Sequence, residues 1–468
     1  MTLTATKFQT NRSWFLPKVL LTAIMILTIT FSPKLIAACG DSLVDTIHGD
    51  VPILITAPHG GMDKNNSIRE VCDPLGGGAR CNPDWQTYNI AKVLRDELHG
   101  LLGVRPYSVL AKFHRGYIDG NRKPEKDAYN SDDECAKDTY DAYHSTIEEY
   151  ISEINERWPE GILLDIHGQS KKDQKSTVHR GTNNLVHVSG LIQKHGIESI
   201  TGPNSIFGYL AQVVNAKEFK KGRMKNFKVY PDSVGQSEDS DLNANGGTAR
   251  WYGAHENNIY DDPERGINTM GVEIGRYLRL NDAKHESLKE ACTGEGDCPY
   301  EQLAKVLARA IAVFYSAYFS DCVPIRHPLR VRWKSNNFIV VDSNNHVFGY
   351  FGSKWLEARK TMNIIRHYKL DQMCYVGRPD PSLKYSLVKG DAPRRAWRKE
   401  DCVPFNPKTI NATKKGKKWY LMDGNYSLFS FGNKEHEARG AVEVIKRHRF
   451  TRSCFVGRPD PSFSYFRR

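Results

Sequence analysis

The sequence predicts an α/β domain with a mixed sheet flanked by helices, followed by two small α+β modules that are each closed by a disulfide bond. Two apolar runs, residues 52–57 and 161–166, have the length of buried strands, and each is followed by a His-Gly pair. In the last third of the chain, several motifs recur at a fixed offset of 80 residues, which indicates two copies of one module. The length of 468 residues has room for two or three domains of roughly 100–200 residues each.

The composition is that of a globular protein, and the charge is unevenly distributed. Apolar residues make up 40% and charged residues 26% of the chain, which excludes a collagen, a coiled coil or a mainly disordered chain. The net charge is +12, but residues 321–468 contain 30 Lys and Arg against 13 Asp and Glu, while residues 39–320 have a net charge of −9. This asymmetry predicts different partners for the two parts, and an anionic polymer or a cell-envelope component is the expected ligand of the basic part. Nucleic acid is not an expected partner, because the sequence contains no aromatic-interleaved nucleic-acid-binding motif.

Residues 1–38 are predicted to be an export signal. Basic residues precede an apolar run over 19–31, whose 13 residues are fewer than the about 20 that span a bilayer. Small residues then precede Cys39, so we expect a secreted or periplasmic mature chain that starts there and has no transmembrane span. Two alternatives stay open, an uncleaved anchor and a lipoprotein acylated at Cys39. Acylation would leave nine of the ten cysteines for disulfide bonds, an odd number that disfavours it.

Two motifs define the repeated modules. Asp-Cys-Val-Pro occurs at 321–324 and again at 401–404, and Cys-x-Val-Gly-Arg-Pro-Asp-Pro-Ser occurs at 374–382 and again at 454–462. In an exported chain, the simplest inference is one disulfide bond within each module. The predicted bonds are Cys322–Cys374 and Cys402–Cys454.

The repeated part is divided into a first module at 321–387, a linker at 388–400 and a second module at 401–468. The residue pattern predicts two strands, a helix and a C-terminal strand in each module. In the second copy of the repeated turn, Arg458 lies two residues before Asp460. We expect a local Arg–Asp pair there, with binding of an anionic ligand as the alternative.

Two histidines are the first candidates for a metal site. His59 and His167 each follow a predicted buried strand, and the C-terminal ends of strands in an α/β sheet are where ligand sites form. Neutral imidazole is the commonest metal ligand, and catalytic zinc usually takes three protein ligands and a water. Asp165 lies two residues before His167 and points to the same face of the strand, so it is a candidate hydrogen-bond partner of that ring. These positions predict a zinc site.

The third zinc ligand should be a carboxylate or another histidine, and three acids compete for the position. Asp84 begins a predicted amphipathic helix, while Asp63 and Glu70 lie closer to His59 along the chain. The sequence leaves these alternatives open. The acidic domain, residues 39–320, is expected to close with a long helix over residues 300–319.

The motifs of the acidic domain resemble the N-formylglutamate amidohydrolase family. The resemblance is carried by Ala-Pro-His-Gly-Gly at 57–61, Tyr-Ile-Asp-Gly-Asn-Arg at 117–122 and Leu-Asp-Ile-His-Gly at 164–168, followed by a Gly-Gly segment at 243–253. It covers roughly residues 48–320. The family implies a zinc-carboxypeptidase-like fold of the phosphorylase/hydrolase-like type.

The resemblance also implies roles for individual side chains. Glu273, on a late strand, would be the general base that takes a proton from water and passes it to the leaving amine. Asn121 and Arg122 would hold the substrate carboxylate, since a guanidinium binds a carboxylate through two hydrogen bonds. Arg115 would stabilise the oxyanion, and Tyr252 would close over the substrate.

One departure from the related pattern concerns the acidic ligand. Zinc carboxypeptidases have a Glu three residues after the first His, and Met62 occupies that position here. The implied function is that of an exported zinc-dependent amidohydrolase or carboxypeptidase-like enzyme. It would cleave an amide bond next to a free carboxylate, in an N-formylglutamate-like, N-acyl-amino-acid or peptide substrate. The alternative is a non-enzymatic envelope- or polymer-binding protein with a degenerate hydrolase domain.

Overall fold

The structure, a computed structural model, describes most of the chain after residue 42. The described residues are 43–72, 81–158, 160–214, 227–239, 247–255, 258–260, 262–280, 299–319, 321–343, 345, 347–377, 381–398 and 400–468. The predicted export signal, Cys39 and most of the Gly-Gly segment lie outside these residues. Within the described residues, no helix is long and apolar enough to cross a membrane.

Strands and helices alternate along the first part of the chain. The strands are β1 (Val44–Ile47), β2 (Val51–Ala57), β3 (Pro106–Ala111), β4 (Ile162–Gln169), β5 (Thr177–Gly181), β6 (Lys228–Tyr230) and β7 (Asn268–Gly275). The helices are α1 (Thr87–Leu102), α2 (Glu134–Arg157), α3 (Ser189–His195), α4 (Glu198–Thr201), α5 (Ile206–Val213), α6 (Gly247–Tyr252), α7 (Arg276–Arg279) and α8 (Pro299–Tyr318). Short 3₁₀ turns cover Pro124–Lys126, Val186–Val188 and Pro263–Arg265.

The seven strands form one mixed sheet in the order β1-β3-β2-β4-β7-β5-β6. Strands β3, β2, β4 and β7 are parallel, while β1 is antiparallel to β3 and β5 is antiparallel to β7. The predicted mixed α/β architecture is therefore confirmed. Parallel order brings the C-terminal ends of β2, β4 and β7 to one edge of the sheet, where His-Gly follows β2.

Helices cover both faces of the sheet. Ile53 and Ile55 pack with α1, α5 and α8 on one face, whereas Leu54 and Leu163 pack with α2 on the other. The alternation follows from the period of two in a strand, and because both faces are covered, every residue of β2 is buried. The predicted closing helix is confirmed as α8, shifted by one residue.

Helix α1 begins later than predicted. Asp84 does not open the helix, which starts at Thr87. Gln86 has a left-handed backbone conformation with φ of 71°, so it breaks the helical path between the two residues. The carbonyl of Asp84 accepts the amide of Thr87, and Asp84 thus lies in a tight turn in front of the helix.

The C-terminal part consists of two segments with the same order of elements. The first contains β8 (Asp321–Pro324), β9 (Arg330–Lys334), β10 (Asn337–Val341), β11 (Val347–Tyr350), α9 (Trp355–Tyr368), β12 (Gln372–Val376) and β13 (Leu383–Leu387). The second contains β14 (Asp401–Pro404), β15 (Ile410–Lys415), β16 (Lys418–Asp423), β17 (Tyr426–Gly432), α10 (Glu435–His448), β18 (Arg452–Val456) and β19 (Phe463–Arg467). Both segments have more strands than the sequence predicted, arranged as two three-stranded sheets each.

Disulfide bonds join neighbouring strands in both segments. Cys322 of β8 is bonded to Cys374 of β12, and Cys402 of β14 is bonded to Cys454 of β18. Both predicted bonds are confirmed. A further bond, between Cys72 and Cys81, closes a loop of the first part, where the sequence had left the pairing open. These bonds indicate folding in an oxidising compartment, such as the periplasm or the cell exterior.

In the C-terminal part, the sheets β8–β12–β13 and β14–β18–β19 each pack against the helix of the other segment. Strands β12 and β13 pack in one core with α10, while β18 and β19 pack in another core with α9. A glutamate on each helix forms a hydrogen bond with the repeated turn of the other segment. Glu437 accepts a hydrogen bond from the amide of Ser382 over 3.0 Å, and Glu357 accepts one from the hydroxyl of Ser462. Each segment therefore completes the hydrophobic core of the other.

In the second copy of the repeated turn, Arg458 has a different carboxylate partner from the predicted one. Arg458 donates to Asp401 over 2.6 Å at Nε, and the Asp460 side chain is exposed. The prediction of a local Arg458–Asp460 pair is wrong. Arg458 pairs with Asp401 instead, because Asp401 lies on β14, next to β18, within reach of the guanidinium. The corresponding Arg378 and Asp380 lie outside the described residues.

The second segment also packs against the first domain. Helix α10 approaches α8 so closely that a Cβ on Gly440 would lie 2.5 Å from the carbonyl oxygen of Ser316. Asn204 donates to Glu443 over 2.8 Å at the same contact. Helix α8 therefore has the first domain on one side and α10 on the other.

Candidate metal centre and active site

The turn after β2 brings His59 to the edge of the sheet. The backbone of Gly60 lies against the start of α1, and a Cβ there would be 2.1 Å from the amide nitrogen of Tyr88. Only glycine permits this approach. The amide of Asp84 donates to the carbonyl of His59 over 2.9 Å, so the turn after β2 and the turn before α1 are joined. This local packing sets His59 beside Asp84.

Three side chains from separate elements converge at this edge. His59, Asp84 and His167 are buried, and one ligand atom from each lies within 4.8 Å of the other two. Nδ1 of His59 is 3.3 Å from Oδ2 of Asp84, and Nδ1 of His167 is 3.4 Å from the same oxygen. Ligands about 2.0–2.1 Å from a tetrahedral zinc are about 3.3 Å apart, which is also longer than the usual ~2.9 Å of a hydrogen bond. The spacing fits a shared cation.

A carboxylate holds the outer nitrogen of each imidazole. Nε2 of His59 is 2.7 Å from Oδ1 of Asp119, and Nε2 of His167 is 2.8 Å from Oδ2 of Asp165. Asp165 is fully buried and accepts a second hydrogen bond, from Thr56, over 2.7 Å. The predicted contact of Asp165 with His167 is confirmed. Carboxylate partners of this kind fix the ring orientation and the tautomer of metal-binding histidines.

The tautomer has a direct electrostatic consequence. If each Nε2 carries the proton that it donates to its carboxylate, both Nδ1 lone pairs face the carboxylate of Asp84. Three acceptors then share one buried space, which is unfavourable unless a proton or a metal cation lies among them. Burial by itself lowers the pKa of His167, but Asp165 and Asp84 outweigh it and hold that pKa well above its ordinary value. The donor set thus favours a cation at Nδ1.

Asp84 and Asp119 remain ionised in this environment. Burial opposes ionisation of Asp84, but the neighbouring rings of His167 and His59 hold its pKa well below the usual range. Burial likewise opposes ionisation of Asp119, and the charges of His59 and Arg115 lower its pKa. Two ionised carboxylates are therefore available on opposite sides of His59.

Glu273 lies on the strand next to His167. The two residues face each other in the register of the parallel pair β4–β7, so their side chains are on the same face of the sheet. Glu273 is half-buried, and burial raises the pKa of its carboxyl group. A carboxylate whose pKa is raised is a stronger base, which suits proton transfer next to a metal position.

Two arginines line a cavity beside this centre. Nε of Arg115 and Nε of Arg122 donate to the same oxygen of Asp119, over 3.1 and 3.0 Å, and Nη1 of Arg115 is 3.6 Å from Asp84. The cavity has a volume of about 480 Å³. The Cys72–Cys81 disulfide forms part of its wall, and the rest includes Glu70, Asp127, Tyr129, Asn130 and Ser131. The arginines thus form the part of the wall next to the metal position.

The remaining predicted residues occupy varied positions. Asn121 accepts the backbone amide of Thr248 over 2.7 Å, which fastens the start of α6. Tyr252 is 1% exposed, and its hydroxyl is 2.8 Å from Nδ1 of His144, within the core under α2. Substrate binding by Asn121 and Tyr252 stays a prediction.

The rival acids do not join the three ligands. Asp63 and Glu70 are exposed, and neither belongs to the cluster around His59 among the described residues. Asp63 forms an isolated backbone bridge with Phe113, just beyond the end of β3, and Glu70 lines the neighbouring cavity. Asp84 is the acid that the fold brings to the histidines.

Sequence reasoning missed Arg279, which supports the site from behind. Its guanidinium is buried and donates to the carbonyls of Trp85, Gln169 and Ile274 over 2.7, 3.2 and 2.9 Å. It therefore ties the turn that carries Asp84 to the ends of β4 and β7. The signal available in the sequence was an Arg four residues after Gly275, where the predicted late strand ends. Asp119 was also missed as the partner of His59, although it stands inside the Asp-x-Asn-Arg motif.

Comparison with known proteins gives low similarities. No protein-family model matches the chain, and no curated protein matches it. Among solved structures, N-formylglutamate amidohydrolase from Ralstonia eutropha has a TM-score of 0.36 and 14% identity, covering 57% of this chain and 95% of its own. A bacteriophage poly-gamma-glutamate hydrolase has a TM-score of 0.26 and 8% identity over 58% of this chain and 88% of its own. YNDL in its zinc-free form has a TM-score of 0.24 and 14% identity over 57% of this chain and 88% of its own.

Proposed function

We propose that the chain is an exported zinc-dependent amide hydrolase that acts on an amide bond next to a free carboxylate. The observation that carries the proposal is the convergence of both Nδ1 atoms on Asp84, with each Nε2 held by its own carboxylate. Two carboxylate–histidine pairs and one acidic ligand constitute the donor set of a catalytic zinc site with an open position. We further propose that the first domain has a zinc-carboxypeptidase-like fold and that the two C-terminal segments are copies of one module.

His59, Asp84 and His167 would hold the ion, and the other side chains would handle protons and charge. Zinc at this position would polarise the scissile carbonyl and lower the pKa of a bound water. Glu273, whose pKa is raised by burial, would take a proton from the attacking water and return it to the leaving amine. Arg115, next to Asp84, would stabilise negative charge on the carbonyl oxygen.

The cavity supports a small anionic substrate. Arg122 is partly exposed at its wall, so its guanidinium can bind a carboxylate through two hydrogen bonds. A volume of about 480 Å³ lies within the roughly 300–1,000 Å³ of small-molecule sites. An N-formylglutamate-like compound, an N-acyl amino acid or a short peptide with a free carboxylate meets these requirements.

Export is supported by the cysteine chemistry of the described residues. Disulfide bonds at 72–81, 322–374 and 402–454 persist in oxidising compartments. Together with the predicted signal at 1–38, they support a secreted or periplasmic enzyme.

The alternative of a non-enzymatic polymer-binding protein depended on the missing acidic ligand. Met62 occupies the position where zinc carboxypeptidases have Glu, but Asp84 reaches the histidines from the turn before α1. Glu273 also lies on the strand next to His167. These two placements favour the enzyme.

The test is metal content, measured on purified mature protein. About one zinc per chain is expected, and His59→Ala or His167→Ala should lose most of it. His48→Gln is the matched control, because His48 is exposed and bonded to Glu153 on the protein surface. Retention of one zinc by the double variant His59→Ala, His167→Ala would contradict the proposal.

A further inference from the structure

The first C-terminal segment exposes a group of large apolar side chains. Trp333, Tyr350, Trp355 and Leu356 are between 41% and 75% exposed, and we call them the aromatic corner. At the positions 80 residues later, the second segment has smaller or polar residues: Thr413, Ser430, Glu435 and His436. The aromatic corner is therefore specific to the first segment and is not a requirement of the shared architecture.

The aromatic corner lies at one end of the sheet β9–β10–β11. Trp333 faces Phe338 across the strands, with ring centroids 4.6 Å apart. The carbonyl of Phe338 accepts the amide of Phe351, which follows Tyr350 at the end of β11. Trp355 then opens α9 after a short turn. The four residues thus lie on the strands and the helix start next to the point where the chain leaves the sheet for the helix.

Cationic side chains accompany these rings. Arg332 and Lys334 flank Trp333 on β9 and are exposed, and the guanidinium of Arg359 lies 5.1 Å from the ring centroid of Trp355. Residues 321–387 contain 11 Lys and Arg against 5 Asp and Glu. Apolar ring faces and positive charges are therefore presented together, in contrast to a simple apolar patch.

In the second segment, one face of helix α10 packs against the first domain. On α10, Gly440 and Arg447 contact α8, through the backbone of Ser316 and the carbonyl of Ala317. At the matching positions of α9, eighty residues earlier, Lys360 is half-buried and His367 is exposed. One copy of this helix face thus attaches the C-terminal part to the first domain, while the other is partly open to solvent.

We propose that the aromatic corner binds an acidic polysaccharide. Sugar rings have apolar faces that stack on exposed Trp and Tyr side chains, and their carboxylates pair with guanidinium and ammonium groups. The net charge of +17 over residues 321–468 attracts such a polymer over longer distances. Tyr350 shares its sheet face with Arg332, and Trp333 lies on the opposite face. A flexible chain can follow both faces around the end of the sheet, whereas a flat bilayer contacts only one.

The first experiment measures binding of full-length protein to polygalacturonate by titration calorimetry. Trp355→Ala should weaken binding at least fivefold, and Trp355→Phe should restore most of it, because the ring face is retained. Tyr426→Ala is the control, since Tyr426 is 80% exposed on β17, in the other segment. Equal loss in Trp355→Ala and Tyr426→Ala, or no measurable binding by the unaltered protein, would overturn the proposal.

A second experiment separates stacking from charge. Arg359→Gln should weaken polygalacturonate binding more than Lys414→Gln, which removes an exposed charge from β15 of the second segment. Poly-L-glutamate provides carboxylates without sugar rings, so the unaltered protein should bind it at least fivefold more weakly. Equal affinity for both polymers, or tighter binding to phosphatidylglycerol vesicles or single-stranded DNA, would show that the aromatic corner does not recognise a polysaccharide.

Discussion

Replacing Asp119 by Asn should damage the metal centre through the hydrogen bonds that this carboxylate accepts. One oxygen of Asp119 contacts Nε2 of His59 at 2.7 Å, and the other accepts Nε–H from both Arg115 and Arg122. If the amide nitrogen of Asn faces the arginines, two charge-assisted hydrogen bonds are lost, each about 1.5–3 kcal/mol. If the nitrogen faces His59, Nε2 must accept, and the proton moves to Nδ1, the atom that faces the metal position.

Replacing Asp165 by Asn provides the matched control. Asp165 accepts from His167 at one oxygen and from the hydroxyl of Thr56 at the other. An Asn can keep its oxygen towards His167, and the Thr56 hydroxyl can rotate to accept from the new amide. The ring orientation survives, and only the negative charge is lost.

The magnitudes follow from this difference. Asp119→Asn should weaken zinc affinity by about 10–100-fold, the scale for lost partners of metal-binding histidines, while Asp165→Asn should stay below about tenfold. Competition with a zinc chelator measures both affinities, and thermal melts of the metal-free proteins check that both variants fold. Unchanged zinc affinity in Asp119→Asn, or a larger loss in Asp165→Asn, would refute the assigned tautomers.

Three further predictions concern catalysis, pH and the domain contact. Glu273→Gln should retain zinc but lose hydrolysis by at least ~100-fold, the scale of a general base, and loss of zinc would instead make Glu273 a ligand. Burial lowers the pKa of His144 and of His436 to about 4. Between a pH of about 6.5 and a pH of about 4, the unfolded chain therefore binds more protons than the folded one. The free energy of unfolding should therefore decrease as the pH falls through this window, and thermal melts at constant ionic strength would reveal a flat dependence if the reasoning fails. Removal of residues 321–468 should lower the unfolding temperature, because α8 loses its contact with α10, and an unchanged temperature would show that the first domain does not depend on this contact.

Local patterns in the sequence predicted the parts of the fold that local physics determines. Continuous apolar runs marked β2 and β4, since strands with both faces covered need apolar residues throughout. The repeated cysteines predicted both C-terminal disulfide bonds, because the same spacing occurs twice. Helix α8 followed from its apolar periodicity.

Contacts between distant elements could not be predicted in the same way. Asp84 was placed at a helix start because Gln86 gives no sequence signal of its left-handed conformation. Asp119 lies 60 residues after His59, and nothing in its turn motif indicates which side chain it meets. The pattern could show that a carboxylate was needed at the metal position, but only the fold selects Asp84 from among the rival acids.

The exchange of packing between the two C-terminal segments, in which each sheet covers the helix of the other, explains why a repeated sequence does not imply two independent units. Glu357 and Glu437 occupy equivalent positions, and each meets the repeated turn of the other segment. Because the motifs are identical in the two copies, each glutamate could bind the repeated turn of its own segment or that of the other segment. The sequence therefore does not predict which of these two arrangements forms. Exchange keeps the two helices in one body while their outward faces diverge: α10 has Gly440 against the first domain, and α9 has exposed Trp355 and Arg359. The pair of segments can thereby contact the first domain on one side and present a different surface on the other.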